Sequence, residues 1–249
     1  MVGQQSSDRY YQFLRKNQET IIIFIIFLLG AILRLLFINT REIAYDDAFS
    51  YFLSRGSLQK IIIGTASDTM PPLYYFLLHY WMKICEDLWF LRLLNVLINI
   101  VTAGLIYSLT KLTFDKKSAY ITILLFLISP FQIYHSQELR MYSILLLGQV
   151  GYYLGLIRMI QSKNQNYLWM VVAIISGTIA MYSHNLAFIG LVGINVILFF
   201  GKYKKSFSKI FLIQLLILLF SSPWFFYLPQ QLTKIQNAFW TQKPGFIDI

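Results

Sequence analysis

Cysteine and charge are both scarce in this chain. One cysteine, Cys85, stands among 249 residues. That excludes a disulfide framework within the chain and leaves a thiolate metal site without a second ligand, so Cys85 reads as a small apolar filler. Charged residues make up 13% of the sequence, about half of the roughly 25% usual in soluble domains. HExxH, CxxC and glycine-rich phosphate-loop patterns are missing too. A dedicated metal centre and a soluble nucleotide-sugar site therefore lack a sequence signature.

Apolar residues fill the space. They reach 57%, with a mean hydropathy of +0.58. Surface this apolar calls for lipid as its solvent, so the expected fold class is all-α, a polytopic membrane helix bundle. The net charge of +10 then reads as loops held on the cytoplasmic side or facing anionic lipid, and not as nucleic-acid binding.

Arg15 and Lys16 precede a long apolar run without a small-residue cleavage site, which reads as a retained first membrane helix. About seven spans are expected: Thr20–Ile38, Phe90–Leu109, Ser118–Tyr134, Tyr142–Ile160, Tyr167–Ser183, Leu186–Phe200 and Ile210–Leu228. No repeat of fixed period links them. Pro71–Ile84 is apolar but only about half a span at 1.5 Å per residue. If it does not cross, twelve of the Lys and Arg residues share the inner side with three acids, as the positive-inside bias requires. Pro71–Ile84 is thus expected to be interfacial on the outer face, its two prolines opening a helix.

With that parity the outer side gathers Asp46, Asp47, Asp68, Arg92, "HSQELR" (135–140) and "SHN" (183–185). Asp46 and Asp47 open the stretch "YDDAFSYFLSRG" and would either cap a helix or do chemistry. Both can hold, since neighbours lie about 100° apart around a helix. Glu138 stands as a partner for Arg140. Ionisable groups beside a membrane helix are functional candidates, and Arg92 would either snorkel to the interface or hold a phosphate bidentately. His184 would be a hydrogen-bonded structural residue or a ligand; His79 and His135 carry weaker signals.

Four stretches, "YDDAFSYFLSRG", "DTMPPLYYFLLHYWMKI", "RLLNVLINIVTAGLIYSLTKL" and "SPFQIYHSQELRMYSILLL", occur in the order seen in polytopic GT-C glycosyltransferases. The chain resembles glycosyltransferase family 39, related to protein O-mannosyltransferases and lipid A aminoarabinose transferases. The resemblance implies a sugar donor on a polyprenyl phosphate and a hydroxyl acceptor on a protein, lipid or glycan. Asp46 would be the general base, Asp47 would position the acceptor or a divalent cation, and Arg92 and Arg140 would bind the donor phosphate. Glu138, Asp68 and His184 complete the candidate site. No other cofactor and no dedicated metal ligands are implied. Where the family often has Asp-Glu this chain has Asp-Asp, and Met70 stands where a histidine often precedes the paired prolines.

The resemblance further implies a multi-pass plasma-membrane protein acting on the outer face. Residues 1–249 are read as a single domain, with residues 1–19 cytoplasmic, 39–89 an outer loop with juxtamembrane helices, and 229–249 an outer tail. Relatives usually continue further, so a short form or a fragment is expected. Two other classes fit the composition. A flippase for a lipid-linked saccharide would place polar groups at mid-bilayer. An inactive truncated relative would serve as an assembly subunit.

Overall fold

The computed structural model describes residues 2–162, 167–200 and 206–238, with side chains for 17–162, 167–196 and 206–234. Twelve α-helices run through them: α1 Val2–Leu35, α2 Tyr45–Ser54, α3 Leu58–Ser67, α4 Leu73–Met82, α5 Leu88–Thr113, α6 Lys116–Ile128, α7 Pro130–Ser136, α8 Tyr142–Gln161, α9 Tyr167–Ser183, α10 Ala187–Phe200, α11 Phe207–Phe225 and α12 Leu228–Ala238. The expected all-helical membrane bundle is found, but the expected seven spans are not. Among the described residues four stretches are long and apolar enough to cross: Asn17–Leu35, α5, α8 and α11. A fifth exists if α6 and α7 count as one broken span, bent by 59°. The apolar helices α9 and α10 are shorter.

The break falls at Ser129–Pro130, inside the stretch 118–134 expected to be one span. Proline has no N–H to continue the ladder, and Ser129 Oγ accepts from Gln132 N at 3.4 Å to cap a new helix. The interruption exposes carbonyls near the end of α6. Arg34, fully buried on α1, covers them, donating to Leu127 O at 2.7 Å and Phe126 O at 3.4 Å. Its Nε donates to Asn99 Oδ1 of α5 at 2.8 Å. One arginine inside an apolar run thus joins α1, α5 and α6, and pays for its burial with hydrogen bonds.

The bundle is tightest where α8 meets α9. Gly148 and Gly155 of α8 lie against the α9 backbone, so that a Cβ on them would sit 2.7 Å from Ala180 N and 2.8 Å from Ala173 N. Small residues are what lets membrane helices approach this closely. A buried amide clamp adds a polar tie: Gln214 of α11 donates to Tyr152 OH at 2.9 Å and Leu191 O at 2.8 Å, and accepts from Asn195 at 2.9 Å.

The two ends of the bundle differ. At one end Glu19 pairs with Lys111 at 2.7 Å and Lys116 at 2.5 Å. At the other lie the C-terminus of α1, the N-terminus of α5 and the α7–α8 junction. Arg92 and Lys111 lie near opposite ends of α5, about 28 Å apart at 1.5 Å per residue, which is close to the hydrocarbon thickness of a bilayer. Helices α2, α3 and α4 cluster beside the Arg92 end around buried Ile61, Tyr74, Tyr75, Leu78, Leu91 and Leu139. At ten residues α4 is the half-span length expected of 71–84. Residues 239–249, within the expected outer tail, lie outside the described residues.

Candidate active site

Neither paired acid caps a helix. The N-cap of α2 is Ala44, with no side-chain capping bond, and the two carboxylates point apart. Asp47 turns inward, 1% exposed. It accepts from Leu139 N at 2.8 Å and pairs with Arg92 at 3.5 Å. Arg92 is fully buried, so it does not snorkel. Its guanidinium donates to Ile38 O at 2.8 Å, Arg41 O at 3.0 Å and Glu42 O at 3.0 Å. This arginine holds the turn between α1 and α2, and Asp47 ties that turn to the α7–α8 junction.

Asp46 faces out, with 56% of its side chain exposed, and lies 3.7 Å from Arg140 Nε. Arg140 is 8% exposed and, unlike Arg92, donates to no backbone carbonyl among the described residues. Its Nε lacks a hydrogen-bond partner. Burial works against its cationic form, but the nearby Asp46 carboxylate favours it and the net shift is upward. Tyr75 of α4 is fully buried. Burial pushes its hydroxyl up to about 12, opposed by Arg140 and the neighbouring Ser50 hydroxyl and reinforced by Asp68 and Asp46. A carboxylate and a guanidinium therefore meet at one edge of the bundle.

Glu138 does not pair with Arg140, the partner its spacing suggested. It takes Arg41 at 3.3 Å and His135 Nδ1 at 2.6 Å, because the chain turns between positions 136 and 142 and sends alternate side chains apart. Asn95 of α5 fixes that turn, donating to Glu138 O and, at 2.9 Å, to Arg140 O. His184 Nδ1 accepts from Leu186 N at 3.0 Å, and its ring lies 6.2 Å from that of Tyr142. Burial lowers its pKa, with Arg140 adding to the effect. Asp68 ends α3, and side chains from elsewhere grip the carbonyls around it. Lys234 donates to Ser67 O at 2.6 Å, Asn185 to Thr69 O at 2.8 Å and Gln231 to Thr65 O at 3.2 Å.

A cleft of about 680 Å³ runs between α5, α7, α8 and α10, with His135, Tyr142 and Gln149 among its polar lining residues and Leu145, Leu146 and Ile189 among its apolar ones. Among the described residues no three His, Cys, Asp or Glu side chains lie together as metal ligands do. Asp46, Asp47 and Glu138 each face a cation of the protein, so a divalent cation would have to displace one of them. The residues present do not fit a metal centre.

Residues 69–227 match the family described as Dolichyl-phosphate-mannose-protein mannosyltransferase, well over half of the chain. The chain belongs to this family. It is therefore a GT-C type membrane glycosyltransferase, of a family using a lipid-linked sugar. No curated protein and no solved structure matches the chain. The matched residues include Arg92, Glu138, Arg140 and His184, while Asp46, Asp47 and Asp68 precede them.

Four residues that the sequence did not single out shape the candidate site or the bundle beside it. Arg34 carried a signal that went unread, a cation within an apolar run. Asn95 and Arg41 carried none, since an amide on a helix face and an arginine in a loop acquire their roles only through partners distant in sequence. Tyr75 looked like one aromatic among many near a helix end.

Proposed function

We propose that the chain moves a sugar from a polyprenyl-phosphate donor to a hydroxyl acceptor on the outer face of the plasma membrane, with Asp46 as the general base and Arg140 holding the donor phosphate. The observation that carries this reading is the pairing of Asp46 with Arg140, two positions before Tyr142 in the wall of an apolar cleft. Asp46 takes the acceptor's hydroxyl proton as its oxygen attacks the anomeric carbon. The bond from that carbon to the phosphate oxygen breaks, and the prenyl phosphate leaves with the electron pair. Arg140 meets the growing negative charge. Direct displacement of this kind inverts the anomeric centre.

The prenyl chain of the donor lies in the cleft along α8, whose walls suit a hydrocarbon. Arg92 and Asp47 serve this reading indirectly, as the frame that sets Asp46 and Arg140 against each other, for both terminal nitrogens of Arg92 are already occupied by three carbonyls. The N-terminus is cytoplasmic in this arrangement, with the Glu19 end of the bundle inward. The gathering of acids and arginines at one end favours surface chemistry over transport through the midplane.

The test uses purified protein in lipid nanodiscs with a short-chain prenyl-phosphate-mannose and a hydroxyl acceptor, following release of prenyl phosphate. Wild type should bind and turn over, Asp46→Asn should bind without turnover, and Arg140→Met should lose donor affinity. Failure of the wild type to bind the donor would sink the assignment.

A further inference from the structure

His135 is anchored at one ring nitrogen and open at the other. Glu138 takes His135 Nδ1 at 2.6 Å with one carboxylate oxygen and Arg41 at 3.3 Å with the other. Arg41 is fixed in turn, donating to Tyr134 O at 2.7 Å and lying 4.0 Å over the Tyr134 ring. The rings of Phe131 and Tyr142 pack edge-on to the imidazole, at 4.3 Å and 4.8 Å between centroids. A carboxylate has no proton to give, so the shared proton belongs to Nδ1, and the neutral ring offers Nε2 as an acceptor. Nε2 has no hydrogen-bond partner among the described residues, and His135 lines the cleft of about 680 Å³.

Ser143, in the first turn of α8, lines the same cleft. It is 2% exposed, and its Oγ has no hydrogen-bond partner among the described residues. Thr102, Ser108 and Ser183 each spend their hydroxyl on the carbonyl four residues back in their own helix. For Ser143 that position is Leu139, in the turn before α8, and the bond is not made. A buried hydroxyl left without a partner calls for an explanation.

The two groups ask for one kind of ligand. An acceptor nitrogen and a hydroxyl facing the same cavity are matched by a group that brings hydroxyls of its own. A prenyl chain brings none, and a phosphodiester has oxygens but no proton for Nε2. Of the parts of the donor, the sugar alone has protons to give.

We propose that His135 and Ser143 bind the sugar of the donor: one sugar hydroxyl donates to His135 Nε2 and another shares a hydrogen bond with Ser143 Oγ, while the prenyl chain runs along Leu145 and Leu146. This rests on the reading of the chain as a transferase that takes its sugar from a prenyl phosphate. Glu138 and Arg41 are positioning residues here, fixing the tautomer and direction of the imidazole. A site built to hydrogen-bond a hydroxyl strongly rejects an analogue lacking it, so His135 and Ser143 set which sugar is accepted.

Farnesyl phosphate and farnesyl-phosphate-mannose, alike except for the sugar, are the probes, titrated into the full chain in nanodiscs. Wild type should bind both, the mannosyl probe more tightly. His135→Asn keeps an amide N–H for Glu138 and deletes the Nε2 acceptor; Ser143→Ala deletes the hydroxyl. Each variant should bind the mannosyl probe about threefold to tenfold more weakly, the worth of one hydrogen bond, and farnesyl phosphate as wild type does. Ser143→Ala removes a hydroxyl that is unpaired in the empty protein, so its melting temperature should equal or exceed that of wild type, and its weaker binding is then not a loss of fold. Equal weakening of both probes would assign the two residues to the phosphate or to packing and overturn the proposal, as would an unchanged affinity for the mannosyl probe. Failure of wild type to bind farnesyl phosphate would overturn the donor reading itself, and the sugar assignment with it.

Discussion

Asp47 accepts a hydrogen bond from the amide of Leu139 at 2.8 Å, across 92 positions of the chain, and Arg92 closes on the same carboxylate at 3.5 Å. The acid that neighbours Asp46 thereby holds the residue that neighbours Arg140. The base and the phosphate holder are registered against each other through their buried neighbours. Asp47→Ala would leave Arg92 buried beside no carboxylate, and losing one partner of a buried pair costs about 3 kcal/mol or more. Thermal unfolding in detergent should show Asp47→Ala well below wild type, with donor binding lost along with the fold.

Asp46 predicts the opposite pattern. Its side chain is 56% exposed and its pair with Arg140 is long at 3.7 Å, so its removal changes stability by no more than about 0.5 kcal/mol. Its loss as a general base should lower transfer about a hundredfold or more. Asp46→Asn should therefore melt with wild type and fail to turn over. A large loss of stability in Asp46→Asn would place it with Asp47 in the frame.

The two arginines should separate in the same way. Lysine at position 92 cannot reproduce the fork that reaches Ile38 O, Arg41 O and Glu42 O, because one ammonium replaces a planar set of donors. Arg92→Lys should lower the melting temperature. Arg140→Lys breaks no hydrogen bond to the backbone and should keep the melting temperature while weakening the donor. If Arg140→Lys unfolds the protein and Arg92→Lys only weakens the donor, their roles are exchanged.

Much of the fold could be read locally, and the exceptions have a common cause. Apolar runs marked the helices because hydrophobicity and length are local quantities. The break between α6 and α7 was also local, written in Ser129 and Pro130, but a count of apolar residues over 118–134 averages it away. That Asp46 and Asp47 point different ways follows from helical geometry. Which one turns inward depends on Leu139 and Arg92, partners that only the folded chain brings near. The misassigned partner of Glu138 has the same origin: spacing of two positions suggested Arg140, while the turn through 137–141 delivered Glu138 to Arg41 and His135.

The α8–α9 contact can be tested with glycines alone. A Cβ at Gly155 would lie 2.8 Å from Ala173 N, a backbone atom unable to yield, whereas a Cβ at Gly104 of α5 meets nothing within 4 Å. Gly155→Ala should cost about 1–3 kcal/mol by overpacking. Gly104→Ala should be neutral or stabilise by up to about 1 kcal/mol through reduced backbone freedom. Comparable effects from the two substitutions in a denaturant titration would mean that α8 and α9 do not pack at backbone distance.

His184 couples the site to pH. Its ring is buried, with Arg140 and Tyr142 as its charged and titratable neighbours, and burial followed by the Arg140 charge lowers its pKa below the ordinary 6.5. Neutral His184 uses Nδ1 to accept from Leu186 N at 3.0 Å, and protonation there would remove the acceptor at the start of the link into α10. The unfolded chain binds this proton near pH 6.5 and the folded chain only at lower pH, so the unfolded state holds more protons in between. Stability from this residue is complete above about pH 6.5, declines as pH falls, and is fully lost below the folded pKa. His184→Gln keeps a side-chain acceptor without a titrating proton. Melting temperatures measured between pH 7.5 and pH 5 should therefore fall more steeply for wild type than for His184→Gln. Parallel curves would show that His184 does not change its protonation on unfolding, and would remove Arg140 as a charge felt at that ring.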